Sequence, residues 1–279
     1  MATTKKKTKK KVAKPARLKV NHRIRTSKKT SKKAPKKVSK KTSKKLKSKN
    51  SKKSKKTFKA TKTYVAIVLD KSASMGIIQE EARTSFNDQL KKIQEESKNL
   101  DTRICLTVFN GDLDFVKFNE DVDQLALLEP KDYVPSGWTA FYDAVCTTIR
   151  KLEDLPDINE SGTAVLMLII TDGQENSSKK YNGEDIASMI SRLKGTDRWT
   201  FSVMGANINL EALSDSTGID KSNMLKFAGN AGSVQRGTQM TNDSYGRYFK
   251  SRRRGVVQAS NLYSDDDSVK DADYDSDSD

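Results

Sequence analysis

Cysteine and histidine are nearly missing from this chain. The 279 residues contain two Cys and one His. Two cysteines cannot build a disulfide scaffold. Cys105 and Cys146 lie in the apolar segments TRICLTVF and AVCTTI, where they read as small buried side chains in a reducing compartment. His22 has no second His or Cys to work with, so we assign it no metal or catalytic role. Long apolar runs are also lacking. The longest, Ala164–Ile170, is far short of the roughly 20 residues that span a bilayer, so no membrane insertion is expected. No apolar stretch follows the positively charged start, as a secretory signal would require. We therefore expect an intracellular protein.

Acidic residues are wholly absent from residues 1–62, which carry 29 Lys or Arg. Residues 264–279 reverse the pattern, with eight Asp and one Lys. The net charge of +17 thus belongs to one tail, and the middle of the chain is mildly acidic. Both ends lack the apolar side chains that offset the entropy of ordering. We expect a disordered Lys/Ser-rich tail over 1–62, a folded domain over 63–254 and a disordered acidic tail over 255–279.

The basic tail repeats a loose Ser-Lys-Lys unit. Its lysines, among them Lys28, Lys29, Lys32, Lys33, Lys40, Lys41, Lys44 and Lys45, suit the phosphate backbone of nucleic acid or another polyanion through counterion release. No aromatic residue precedes Phe58, so base stacking is not expected and binding should be blind to sequence. A solubilising or targeting tail has the same composition. Such a run would also serve nuclear import, or a place in a nucleoid or virion. Arg252–Arg254 either extend that contact or complement a helix C-terminus.

The middle alternates strand and helix patterns. Tyr64–Asp70 and Thr163–Ile170 are apolar on both faces, as in buried parallel strands. Thr102–Phe109 and Leu113–Phe118 read as a hairpin around Asn110–Leu113. Thr200–Val203 and Met224–Phe227 read as further strands. Helical spacing marks residues 78–93, 140–153, 184–194, 210–216 and 233–250. The expected fold class is α/β, a doubly wound, mostly parallel sheet with one antiparallel edge strand.

In such a sheet, ligands sit beyond the carboxyl ends of the strands where the strand order reverses. Asp70 and Asp172 fall at the carboxyl ends of the strands flanking that point. Asp70-Lys71-Ser72-Ala73-Ser74, Gly137-Trp138-Thr139 and Thr171-Asp172-Gly173 converge there. Two carboxylates with the hydroxyls of Ser72, Ser74 and Thr139 are hard oxygen donors, suited to a divalent cation: magnesium first, with manganese or calcium as alternatives. Ser74 would also serve as a helix N-cap. Trp138 and Glu175 border the site and are candidates for a partner-binding rim. Asp143 reads as a brace for its own helix start or loop.

Asp70-x-Ser72-x-Ser74-Met75, Thr139 within Gly-x-Thr-x-x-x-Asp-Ala, and Thr171-Asp172-Gly173 resemble the metal-ion-dependent adhesion site of von Willebrand factor A domains. The resemblance runs from about Thr63 to Lys250. It implies six main strands in a Rossmann-like sheet. It also implies that Ser72, Ser74 and Thr139 touch the metal, with Asp70 and Asp172 acting through water or hydrogen bonds. An open coordination position would take an Asp or Glu of a partner protein. The expected function is an intracellular, metal-dependent protein-binding module, not an enzyme, tethered by its basic tail. One alternative is an accessory subunit of a separate AAA-type ATPase, since this chain has no G-x-x-x-x-G-K-[ST] loop. Another is a metal-assisted phosphohydrolase with Asp70 as nucleophile. Such phosphatases typically carry a second carboxylate where Ser72 stands.

Overall fold

The computed structural model describes residues 62–257 and 261–263. Six strands, β1 (Lys62–Asp70), β2 (Asp101–Phe109), β3 (Leu113–Asp121), β4 (Thr163–Thr171), β5 (Trp199–Ala206) and β6 (Met224–Phe227), form one sheet in the order β3-β2-β1-β4-β5-β6. All pairings are parallel except β2 with β3. Five helices accompany them: α1 (Gln79–Glu96), α2 (Phe141–Glu153), α3 (Gly183–Lys194), α4 (Leu210–Thr217) and α5 (Ala231–Arg253).

The period-2 geometry of the central strands splits the core into two layers. Val65, Ile67 and Leu69 of β1 and Leu166, Leu168 and Ile170 of β4 pack with Phe86 and Leu90 of α1 and Tyr245 and Phe249 of α5. Tyr64, Ala66 and Val68, with Val165, Met167 and Ile169, pack with Val145 and Ile149 of α2 and Ile186 and Ile190 of α3. Every residue of β4 is buried, which is why its sequence shows no alternation. Cys105 and Cys146 are buried free thiols, pushed up to about 11 and about 12 by desolvation. No helix among the described residues is long and apolar enough to cross a membrane.

The folded domain runs past the expected boundary at residue 254. Val257, Leu262 and Tyr263 are buried. The Leu262 N–H donates to Asn223 Oδ1 (2.6 Å), and the Tyr263 hydroxyl meets Thr241 Oγ1 at 3.2 Å. A few apolar residues scattered in a polar stretch give no periodic signal, so only packing places them. Just before them, Arg252 is buried without a carboxylate. Its guanidinium donates to Thr63 Oγ1 (2.9 Å), Lys62 O (2.5 Å), Gly162 O (3.2 Å) and Val256 O (3.0 Å). Its burial removes Arg252 from any nucleic-acid contact; it stands in the last turn of α5, where a cation complements the helix C-terminus, and clamps that end to the starts of β1 and β4. Arg253 instead pairs with Glu96 at 3.3 Å. The expected tails, including Lys28, Lys29, Lys32, Lys33, Lys40, Lys41, Lys44 and Lys45 and the acidic residues 264–279, lie outside the described residues.

Candidate metal centre

Strands β1 and β4 are parallel neighbours, so their carboxyl ends lie side by side. Asp70 ends β1, and Asp172 follows Thr171, the last residue of β4. The chain after β1 is pinned by Lys71 N–H to Phe109 O (2.6 Å) and Ala73 N–H to Gly137 O (3.1 Å), while Ser136 N–H donates to Lys71 O (2.8 Å). The first two polar segments are thereby stitched together, and the loop after β4 joins them through Asn176 and Ser177 N–H to Thr139 O (3.0 and 3.2 Å).

Asp70 is fully buried. Its Oδ1 accepts from Ser72 N–H (2.7 Å) and its Oδ2 from the Thr171 hydroxyl (2.6 Å). Ser72 Oγ and Ser74 Oγ stand 3.1 Å apart, and Ser74 Oγ donates to Asp172 Oδ1 at 2.8 Å. A six-residue 3-10 helix (Ala73–Ile78) begins there, and neither it nor α1 carries a side-chain cap bond. Ser74 therefore does not act as an N-cap. Its hydroxyl faces Asp172 instead. Thr139 completes the set from the Gly137-Trp138-Thr139 segment. A β-carbon added to Gly173 would stand 2.9 Å from Thr139 Oγ1 and 3.4 Å from Asp70 Oδ2, so only glycine lets the β4 loop approach that closely.

The electrostatics suit a cation. Burial pushes the Asp70 carboxyl up from 3.8 to about 6, opposed by its hydrogen bonds from Thr171 and Ser72, with the Asp172 charge adding to the rise. Burial raises Asp172 too, opposed by the Ser74 hydroxyl. Two carboxylates that resist ionisation together are a site for a cation. Among the described residues no three His, Cys, Asp or Glu side chains cluster as metal ligands, so hydroxyls must complete the shell. The donor set of two carboxylates and three hydroxyls fits a hard divalent ion. It would be held by Ser72, Ser74 and Thr139, with Asp70 and Asp172 balancing its charge.

Two positioning residues, Tyr133 and Asn110, escaped the sequence reading. Tyr133 is buried and its hydroxyl donates to Asp70 O at 2.5 Å. Asn110 bridges two loops: its Nδ2 donates to Ser136 O (2.8 Å), and its own carbonyl accepts from Ala140 N–H (2.7 Å). Gly137 adopts φ +78° beside it, a conformation favouring glycine. Asn176 Oδ1 accepts from Thr139 N–H at 2.8 Å. An aromatic or amide in a loop carries no sequence signal for such work.

The two rim residues part company. Trp138 is 70% exposed, and Ile77 (84%) and Val134 (59%), on the adjoining loops, are exposed as well. Glu175 turns inward, which corrects its assignment to the rim. Its oxygens accept from the N–H groups of Tyr142, Ser177 and Ser178 and from the Ser178 hydroxyl, at 2.6–3.0 Å. Those donors include an N–H of the first turn of α2, which favours a carboxylate there. Asp143 braces the same loop, accepting from Lys179, Lys180 and Tyr181 N–H at 2.8–2.9 Å.

No protein-family model matches this sequence, and no curated protein matches it. Solved structures do share its fold. The pilus adhesin SpaC from Lactobacillus rhamnosus GG matches 69% of this chain over 32% of its own, at 12% identity and TM-score 0.52. The PilB minor pilin from Streptococcus sanguinis matches 68% over 62%, at 12% identity and TM-score 0.50. A von Willebrand factor type A protein from Catenulispora acidiphila matches 67% over 43%, at 12% identity and TM-score 0.43. This chain thus spans less than two thirds of each. Its six strands, with the antiparallel pair at one edge and helices on both faces, form a fold that this chain shares with part of SpaC and part of PilB.

Proposed function

We propose that this protein is a non-enzymatic binding module, in which a divalent cation at Ser72, Ser74 and Thr139 captures a carboxylate of a partner protein. Magnesium is the expected ion, given hard oxygen donors and a small loop-built site. The observation that carries this reading is the convergence of three sequence-distant segments on one buried carboxylate, with hydroxyls turned toward the second carboxylate. Asp70 is a poor nucleophile candidate. It is fully buried and both its oxygens accept hydrogen bonds, which leaves no exposed lone pair to attack a phosphoester. The reading places the protein inside the cell, with residues 1–62 tethering it to nucleic acid or another polyanion.

Isothermal titration of the full chain with magnesium and manganese tests the centre. One cation site is expected, weakened at least about tenfold in Thr139→Ala, which loses one ligand. Absence of saturable cation binding would refute the reading. For the tail, binding to a DNA duplex should fall steeply and linearly in log affinity against log salt, and should vanish when residues 1–61 are removed. A salt-independent affinity would exclude the tether.

A further inference from the structure

Beside the metal centre lies a cavity of about 310 Å³ between the start of α2, the β4 loop and α4. Gly173 belongs to both. It lines the cavity, and its missing side chain leaves room for Thr139 Oγ1 and Asp70 Oδ2. Phe141, Ile208, Ala212 and Leu213 supply its apolar lining, and Tyr142, Gln174, Asn209 and Ser216 border it with polar groups that suit a phenol. Phe141 and Ile208 are buried parts of the core. Ile208 is fixed, because it occupies the space a side chain on Gly205 would need, 2.0 Å from the position of that β-carbon. The cavity's one charged lining residue is Glu175, whose oxygens are already satisfied by backbone N–H groups. A ligand that fits both features presents a carboxylate to the cation and an apolar or aromatic side chain from a neighbouring residue to the cavity.

The chain contains such a sequence. Among the eight aspartates of residues 264–279 stands one aromatic, Tyr274, flanked by Asp273 and Asp275. Its reach is sufficient. Tyr263 is anchored in the core beside Thr241 and Ser202, and Tyr274 follows about eleven residues later, or roughly 36–40 Å of extended chain. Ser202 lies on β5, which ends at Ala206 roughly 13 Å further along the strand, and Ile208, just beyond that end, packs back over Gly205. Only the edge strand β6 separates β5 from the side of the sheet, so the path round that edge is short.

Resting on the cation reading above, we propose that the chain carries its own ligand: an aspartate beside Tyr274 completes the cation's coordination, and Tyr274 fills the cavity of the same molecule. A partner must then displace this segment, and its apparent affinity falls by the fraction of molecules that are self-occupied.

The test uses a fluorescent peptide of residues 264–279, in salt high enough to screen the lysine tail. Three proteins are compared: the full chain, the chain ending at Tyr263, and full-length Tyr274→Ala. With magnesium, the peptide should bind the shortened chain and the Tyr274→Ala chain at least about tenfold more tightly than the full chain. Chelation should abolish binding, and a Tyr274→Ala peptide should bind about tenfold more weakly, as loss of a buried aromatic requires. Equal affinity for all three proteins, indifference to Tyr274, or binding that survives chelation would overturn the inference. So would magnesium-dependent self-association of the full chain, which would put the tail on a second copy. Manganese titration of the shortened chain separates the two readings. Cation binding without peptide binding overturns this inference alone, and no cation binding overturns both.

Discussion

Asp70→Asn should make the cation-free protein more stable while removing its response to metal. The ionised carboxylate is held at a site that raises its pKa from 3.8 to about 6. At about 1.4 kcal/mol per tenfold, that rise corresponds to an upper bound of about 3 kcal/mol at neutral pH. Asparagine keeps the shape. Its oxygen can accept from Ser72 N–H, and its amide can donate to Thr171 Oγ1, whose proton can turn to Gly173 O, 3.4 Å away. A gain of about 1–3 kcal/mol corresponds to roughly 2–10 °C in a domain of this size. The pH dependence has a fixed sign. Because the native carboxyl holds its proton more tightly than the unfolded one, wild-type stability without cation falls as pH rises from about 4 to about 6. The variant's advantage should appear over that window and be absent below it. Calorimetry in chelator and in excess magnesium reads both effects: the ion should raise the melting temperature of wild type, by about 2.7 kcal/mol at a hundred times Kd, and leave the variant unchanged. A variant less stable than wild type in chelator at pH 7, or one stabilised equally by magnesium, would refute the reasoning.

Three further outcomes follow from the geometry. Gly173→Ala drives a methyl group to within 2.9 Å of Thr139 Oγ1. It should cost about 1–3 kcal/mol in stability by overpacking and reduce cation affinity at least about tenfold, read by denaturant melts and titration. Cation affinity should fall about tenfold for each pH unit below about 6, as Asp70 takes up a proton that the ion must displace. The rise of Asp172 acts in the same direction, and titration calorimetry in two buffers should detect the released proton. Arg252→Met takes the guanidinium donor from the carbonyls of Lys62, Val256 and Gly162, the last of which keeps only the long bond from Lys62 N–H (3.5 Å). It should destabilise the domain by about 2–4 kcal/mol without changing cation affinity, because the clamp lies at the opposite end of β1 from Asp70.

The strands and helices were legible because their periodicity is strong. β1 and β4 are continuous apolar runs, and α2 and α3 carry clean apolar faces. The meeting of the three polar segments was legible because each stands at a strand or helix end in a doubly wound sheet, and the structure brings Asp70, Ser72, Ser74, Thr139 and Asp172 together. What sequence did not disclose was which polar groups bond inward. Glu175 looks like any exposed loop acid until the N–H groups of Tyr142, Ser177 and Ser178 converge on it. Tyr133 and Asn110 act through single hydrogen bonds across loops. Leu262 and Tyr263 join the core as isolated residues whose burial depends on the groove between α5 and β5, a tertiary feature with no local pattern.

The placement of β1 has a mechanical consequence. On the proposed function, a polyanion held by residues 1–62 would pull on the domain at Lys62 and a partner held at the cation would pull beside Asp70, so tension between them would run along a single strand. β1 is bonded to β2 along its whole length and to β4 from Lys62 to Leu69. Extracting it requires both ladders to shear at once rather than to unzip pair by pair, and Arg252 must also release the Lys62 carbonyl. Load applied between the two attachment points therefore meets the domain along its most resistant direction, and the rate of forced unfolding should be far lower for that pulling axis than for one acting across the β6 edge.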